Sequence, residues 1–191
     1  MKKQQSVSRR VIAWIGKNGA KPNAIPTLAF VSVGDFFIPA LPTQTSVILL
    51  AWLQPKKAAL TALAFASAAA VGACILLFLV TVLDSYLQLI VPTQDSKMYS
   101  RWVELQGYIK EYGFIALAAM SLLPTPPRLM VVLSFLSGLG VPSIISTVFI
   151  GKLVWFFSVV SVIKIAPNWL MKLPIIGKKI EKLISPKLQS D

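Results

Sequence analysis

The feature that most constrains this chain is a run of 26 residues, 58–83, without a charged side chain. At about 1.5 Å per residue, a helix over this run is longer than the roughly 30 Å hydrocarbon core of a bilayer. A second run, residues 143–163, holds 21 residues and one charge, Lys152. The whole chain is 55% hydrophobic and 14% charged, with a mean hydropathy of +0.71. We therefore predict an all-α integral membrane protein with transmembrane helices at 58–83 and 143–163.

Two further apolar segments are broken by prolines. The tripeptide Leu-Pro-Thr occurs at residues 41–43 and again at residues 123–125. Proline breaks a helix, and arms of about 12 to 15 residues beside the first break are too short to cross a bilayer comfortably. We predict re-entrant helical hairpins at residues 24–54 and 112–139. Their predicted tips contain Pro39, Pro42, Thr43, Pro124, Thr125, Pro126 and Pro127.

Broken segments at matching positions in two halves of a chain are typical of a transport site near the middle of the bilayer. The prolines are expected to shape the tips by freeing backbone groups. The hydroxyls of Thr43 and Thr125 either bond the freed carbonyls or line a cavity.

The distribution of basic residues predicts the topology. The chain has 19 Lys and Arg residues, of which 14 lie outside the apolar spans in the terminal portions and only three, Lys97, Arg101 and Lys110, lie in the central connection. Because cytoplasmic loops are rich in Lys and Arg, both termini are predicted to be cytoplasmic. One crossing between the hairpins then reverses the second half, so the predicted architecture is an inverted repeat of a re-entrant hairpin followed by a transmembrane helix.

Amphipathic segments flank the predicted membrane domain of residues 24–165. Residues 1–23 are basic, with Val11, Ile12 and Ile15 close together, and are predicted to lie on lipid headgroups without forming a cleaved signal peptide. Residues 95–111 are predicted to form an external interfacial helix. Residues 166–191 are predicted to be a basic amphipathic tail on the cytoplasmic leaflet.

Three charged residues inside the apolar segments are the candidate substrate or coupling site. Asp35 precedes the first tip, Arg128 follows the second, and Lys152 lies in the last span. An ionised group at such a depth is costly unless it is paired or hydrated. Asp35 could couple protons or a headgroup, or it could form a structural ion pair or a cap inside the hairpin. Arg128 could bind a phosphate, pair with Asp35 or extend its guanidinium to the membrane surface. Lys152 could bind a lipid phosphate or pair with Asp35.

Two motif blocks carry a family resemblance. The first is Gly34-Asp35 followed by Ile38-Pro39-Ala40-Leu41-Pro42, and the second comprises Tyr112-Gly113, residues 121–128, Ser137-Gly138 and residues 151–155. Over about residues 25–160 the chain resembles the short bacterial branch of the DedA or VTT-domain superfamily, also called the SNARE-associated Golgi protein family. Ser121-Leu122 stands where larger members carry arginine and phenylalanine, and Gln44 stands where they carry a second acid. Gly138 and Gly151 are expected to serve helix packing.

The resemblance implies a lipid transporter or scramblase of the bacterial inner membrane that moves phospholipids or polyprenyl phosphates. A proton- or ion-coupled exporter of small solutes and a non-transporting assembly factor are the alternatives. The chain has no histidine and a single cysteine, Cys74, and it contains no nucleophile motif or phosphate-cradling glycine loop. We therefore expect no enzyme activity, no cofactor, no metal and no nucleic-acid partner. The expected partners are membrane lipids, with a homo-oligomer also possible.

Overall fold

The computed structural model describes residues 2–38, 41–83 and 98–165, and every regular element within these ranges is helical. The α-helices are α1 (Lys2–Asn18), α2 (Ala24–Val33), α3 (Thr43–Leu53), α4 (Ala58–Val82), α5 (Tyr99–Ser121), α6 (Arg128–Leu136) and α7 (Val141–Ile165). Single 3₁₀ turns follow α2 at Gly34–Phe36 and precede α4 at Pro55–Lys57. The predicted all-α class is confirmed for the part of the chain that is described.

Helices α4 and α7 lie side by side in opposite directions and form the centre of the fold. Ala58 at the start of α4 shares a buried cluster with Ile163 near the end of α7. Leu77 near the end of α4 shares a second cluster with Ile144 near the start of α7. Both helices, Pro55–Val82 with its preceding turn and Val141–Lys164, are long and apolar enough to cross a membrane.

The chain folds back on itself between α2 and α3. The side-chain amide of Gln54, just after α3, donates hydrogen bonds to the carbonyls of Gly19 (2.6 Å) and Lys21 (2.9 Å), just before α2. The fold-back therefore ends beside the point where it starts. Val47 and Leu50 on α3 are fully buried, which fixes this short helix against the core.

The second fold-back, α5 to α6, differs from the expected arrangement. The predicted interfacial helix (95–111) and the first arm of the predicted hairpin (from 112) are one continuous helix from Tyr99 onwards. The buried positions Ile109, Gly113 and Leu117 follow one another at a spacing of four residues, so one helical face continues across the predicted boundary. Residues 95–97 lie outside the described part.

Helices α3 and α6 begin in the same way, and this changes the predicted alignment of the two Leu-Pro-Thr copies. Pro42 caps α3 with φ −84° and ψ 52°, and Pro127 caps α6 with φ −82° and ψ 50°. The structural counterpart of Pro42 is therefore Pro127 and not Pro124. The two Leu-Pro-Thr copies do not correspond, because α3 begins at the threonine of the first copy, Thr43, whereas α6 begins three residues after the threonine of the second, Thr125. Thr43 and Arg128 are the equivalent first residues of the two helices.

Helix α1 covers the residues predicted to lie on lipid headgroups. Ile15 is fully buried, and Val11 and Ile12 pack against the same cluster that holds α2 and α3. The apolar side of α1 thus contacts the chain's own core rather than presenting a free surface. The predicted tail, residues 166–191, lies outside the described residues.

Gly138 and Gly151 have different surroundings. A Cβ atom on Gly138 would meet nothing within 4 Å, but its φ of +88° is one that L side chains rarely adopt. The amide of Leu139 donates to the carbonyl of Ser134 at 3.0 Å, which is the bond of a glycine-ended helix. The expected packing role is therefore wrong for Gly138, which ends α6 through its backbone conformation.

At Gly151, helix α7 lies close to the end of α5. A Cβ atom there would lie 2.5 Å from the Cβ of Ser121, which is itself fully buried. We expect Gly151→Ala to destabilise the protein by about 2 kcal/mol, because two helix backbones must separate. Gly107→Ala is the matched control, because a Cβ at Gly107 meets nothing within 4 Å.

The two alanine variants should move thermal unfolding in detergent in opposite directions. Gly107→Ala should stabilise by about 0.5–1 kcal/mol through helix propensity alone. An unchanged midpoint in Gly151→Ala would show that the helices are not in close contact at this position.

Candidate functional site

Asp35 and Arg128, predicted from opposite halves of the chain, are brought together by the fold. Asp35 lies in the 3₁₀ turn after α2, and Arg128 is the first residue of α6. The Arg128 guanidinium donates from Nη2 to the backbone carbonyl of Asp35, and the same nitrogen lies 4.0 Å from the Asp35 carboxylate oxygen Oδ1. The Arg128 side chain is 29% exposed and the Asp35 side chain is 16% exposed. Arg128 therefore joins the two breaks through both the backbone and the side chain of Asp35.

Lys152 approaches the same region from α7 and binds the second break. Its Nζ donates to the carbonyls of Leu123 at 2.6 Å and Thr125 at 2.8 Å. The residue is only 3% exposed. These carbonyls lie where prolines interrupt the helical hydrogen bonds, so the ammonium supplies donors that the helix cannot. Neither of the two predicted roles for Lys152 included this one.

Gln44 and Trp155 complete the connection between the breaks, and neither was predicted as a site residue. The Gln44 amide nitrogen donates to the carbonyl of Pro124 at 2.5 Å. The Trp155 indole N–H donates to the Gln44 side-chain oxygen at 2.9 Å. Gln44 thus links the start of α3 to the second break and to α7. From the sequence, Gln44 was noted only because it stands where larger members of the family carry a second acid.

A small cavity lies at the meeting point. Its volume is about 20 Å³, and Asp35, Thr43 and Lys152 are among the polar residues that line it. Phe36, Phe65 and Phe156 supply apolar walls. A cavity of this size can hold about one water molecule where polar partners are present.

One buried polar atom at this place, the Arg128 Nε, has no hydrogen-bond partner among the described residues, and the Thr43 hydroxyl lies beside the Asp35 carboxyl. The Thr43 side chain lines the cavity, whereas the freed carbonyls of the second break are bound by Lys152 and Gln44. The Thr125 side chain is exposed. The backbone carbonyl of Pro126 accepts the Arg128 amide at 2.9 Å. Pro39 lies outside the described residues.

Comparison with known proteins does not assign the chain to a group. It matches no family model, no curated protein and no solved structure. Within the described ranges, no group of three or more His, Cys, Asp or Glu residues could hold a metal ion. The chemistry of the site is therefore argued from its own geometry.

The Gln44 link gives a direct test of how the breaks are held together. We expect Gln44→Ala to lower the free energy of unfolding by about 1–2 kcal/mol, because it removes two partly buried hydrogen bonds. Trp155→Phe removes only one of them and should cost about half as much. Chemical unfolding in detergent measures both variants. Equal stability of Gln44→Ala and the wild type would contradict a structural role for this link.

Proposed function

We propose that this chain moves lipids with phosphate headgroups, phospholipids or polyprenyl phosphates, between the leaflets of a bacterial inner membrane. The observation that carries the proposal is the meeting of two broken helical segments at Arg128 and Asp35. Broken helices whose ends converge between two long apolar helices are a recurring design of membrane transport sites. The resemblance of residues 25–160 to VTT-domain proteins favours the same substrate class.

The ends that converge suit an anionic headgroup. Helices α3 and α6 begin at Thr43 and Arg128, and the first amides of a helix have no partner within it. Helix N-termini carry partial positive charge and commonly bind phosphate. The Arg128 guanidinium adds a full positive charge and can bind two phosphate oxygens at once, in a bidentate geometry. In this conformation, the Asp35 carboxylate lies beside the Arg128 guanidinium and balances its charge.

In the proposed mechanism, a phosphate headgroup exchanges with Asp35 on Arg128 while its hydrocarbon tails stay in the membrane. The apolar outer surface fits this arrangement, because large side chains on α4 and α7 are exposed, among them Phe78, Val82, Ile150 and Val154. The pairing of Asp35 with Arg128 lowers the cost of holding either charge at this depth when no lipid is bound. Both termini then lie in the cytoplasm, as the distribution of basic residues predicts.

Leaflet exchange in liposomes tests this proposal. The purified protein is reconstituted with fluorescent phosphatidylglycerol, with labelled polyprenyl phosphate, or with a labelled glycolipid that lacks phosphate. We expect exchange of the phosphate lipids above the rate of protein-free liposomes and little effect on the glycolipid. Folded protein that leaves every rate at the protein-free level would refute lipid movement, and equal rates for all three lipids would refute phosphate recognition.

A proton-coupled exporter is a second candidate. The Asp35 carboxyl, a group that can bind and release a proton, lines a cavity large enough for about one water molecule. Asp35→Asn separates the two functions. Coupling through this carboxyl requires that the variant lose the pH dependence of transport. Lipid exchange driven only by the lipid gradient requires no proton movement, so it should not acidify the liposome interior.

A further inference from the structure

A second apolar groove lies away from the paired breaks, where the end of α3, the start of α4 and the end of α7 meet. Its volume is about 270 Å³. Ala51, Trp52, Ala58 and Val160 are among its apolar lining residues, and Lys164 is the one charged residue that lines it. Lys164 is 12 positions after Lys152 on α7, so the groove lies roughly 18 Å along the helix from the Asp35 and Arg128 site. The two cavities share no lining residue.

The charges on the described segments that form this groove are all of one sign. Lys56 and Lys57 lie between Pro55 and Ala58, which both line it, and their side chains are exposed. Lys164 is exposed as well. The sequence has no Asp or Glu in residues 41–83 or 141–165. The groove thus combines an apolar floor with three lysines and no acid in the helices that form it.

This combination suits one kind of ligand in a bilayer. An apolar cavity holds water poorly, because a buried water needs two to four polar partners. A hydrocarbon chain meets no such requirement. Lysines near the membrane surface attract anionic lipids, and basic pockets between membrane helices on the cytoplasmic side bind phosphate headgroups. The amphipathic indole of Trp52 is typical of the interface between hydrocarbon and headgroups.

We propose that this groove binds one anionic phospholipid of the cytoplasmic leaflet. An acyl chain lies against Ala51, Ala58 and Val160, and the phosphate lies at Lys164 with Lys56 and Lys57 beside it. The bound lipid joins α3 to the ends of both long helices. This inference rests on the chain lying in a bilayer with the groove on the cytoplasmic side, as the distribution of basic residues predicts, and it does not depend on lipid movement through the paired breaks.

Lipid binding to the full chain in detergent tests the proposal. Phosphatidylglycerol and phosphatidylcholine are titrated separately, and bound lipid is counted by native mass spectrometry while thermal unfolding is followed in parallel. We expect one phosphatidylglycerol to bind and to raise the unfolding midpoint, and phosphatidylcholine to do neither. Lys164→Gln should weaken phosphatidylglycerol binding about five-fold, the effect of one lysine near an anionic surface. Ala58→Phe should fill the groove and remove binding.

Two control variants distinguish lipid binding in this groove from lipid binding elsewhere on the protein. Lys110→Gln, an equivalent change of an exposed lysine on α5, should leave binding unchanged. Arg101→Gln, a change of a second exposed cation on α5, should also retain it, and loss of binding in either control variant would overturn the proposal. Equal binding of both lipids, or full binding by Lys164→Gln and Ala58→Phe, would also overturn it. If Ala58→Phe unfolds, Val160→Met serves as the second variant that fills the groove.

Discussion

Leaflet exchange is expected to fall to the rate of protein-free liposomes when Arg128 is replaced by glutamine. Arg128 supplies the full positive charge at the paired breaks, and it donates to the backbone of Asp35. Glutamine keeps a donor but loses the charge that an anionic phosphate requires. The variant also leaves the Asp35 carboxylate without its partner, which should lower the free energy of unfolding by about 2 kcal/mol. Exchange of labelled phosphatidylglycerol and chemical unfolding in detergent measure the two effects.

Two further variants show whether the loss of exchange is specific to Arg128 and whether it depends on charge or on geometry. Arg101→Gln is the matched control, because Arg101 is exposed on α5 and far along the sequence from either break. It should retain wild-type exchange. Arg128→Lys keeps the charge but cannot form the bidentate contact, so it should retain part of the leaflet exchange. Wild-type exchange by a folded Arg128→Gln protein would remove Arg128 from the mechanism.

Lys152→Met is expected to cause the largest loss of stability, about 3 kcal/mol. The ammonium binds the carbonyls of Leu123 and Thr125 while almost wholly buried. Methionine has a similar volume but no donor, so both carbonyls lose charged hydrogen bonds worth about 1.5–3 kcal/mol each, partly offset because a buried ammonium is itself costly. Amide exchange at Leu122, Leu123 and Thr125, the residues of segment 122–127 that carry a backbone N–H, should accelerate more than elsewhere, since this is the segment that Lys152 holds.

Lys110→Met is the control for Lys152→Met, because Lys110 is exposed on α5. It should change the free energy of unfolding by less than about 0.5 kcal/mol. If Lys152→Met unfolds at the wild-type denaturant concentration, the account of Lys152 as the donor to the second break is incorrect.

The long helices could be predicted from the sequence because their signal is local. An uncharged run at 58–83 and a nearly uncharged run at 143–163 required only length and hydropathy, and the structure has helices at Ala58–Val82 and Val141–Ile165. The presence of breaks near Pro42 and Pro124 to Pro127 was likewise local, because proline cannot continue a helical hydrogen-bond ladder.

Two features could not be predicted from the sequence: which residues of the two breaks are structurally equivalent, and which groups form hydrogen bonds across the fold. The Leu-Pro-Thr copies suggested that Pro124 matches Pro42, whereas backbone conformation matches Pro127 with Pro42. Lys152 binds backbone carbonyls, and such acceptors exist at every position of a sequence. Trp155 and Gln44 are 111 residues apart, so their contact depends on how α7 packs against α3.

In the proposed mechanism, the two breaks meet inside the membrane and separate to let a lipid headgroup pass. The most direct test joins them. Cys74, the only cysteine, is replaced by serine, and Gln44→Cys and Pro124→Cys are introduced, because the native residues at these positions are in contact. A short, cleavable thiol crosslinker then bridges the pair in liposomes. Leaflet exchange should stop when crosslinking is complete and recover when the linker is cleaved, whereas unchanged exchange in fully crosslinked protein would contradict the account.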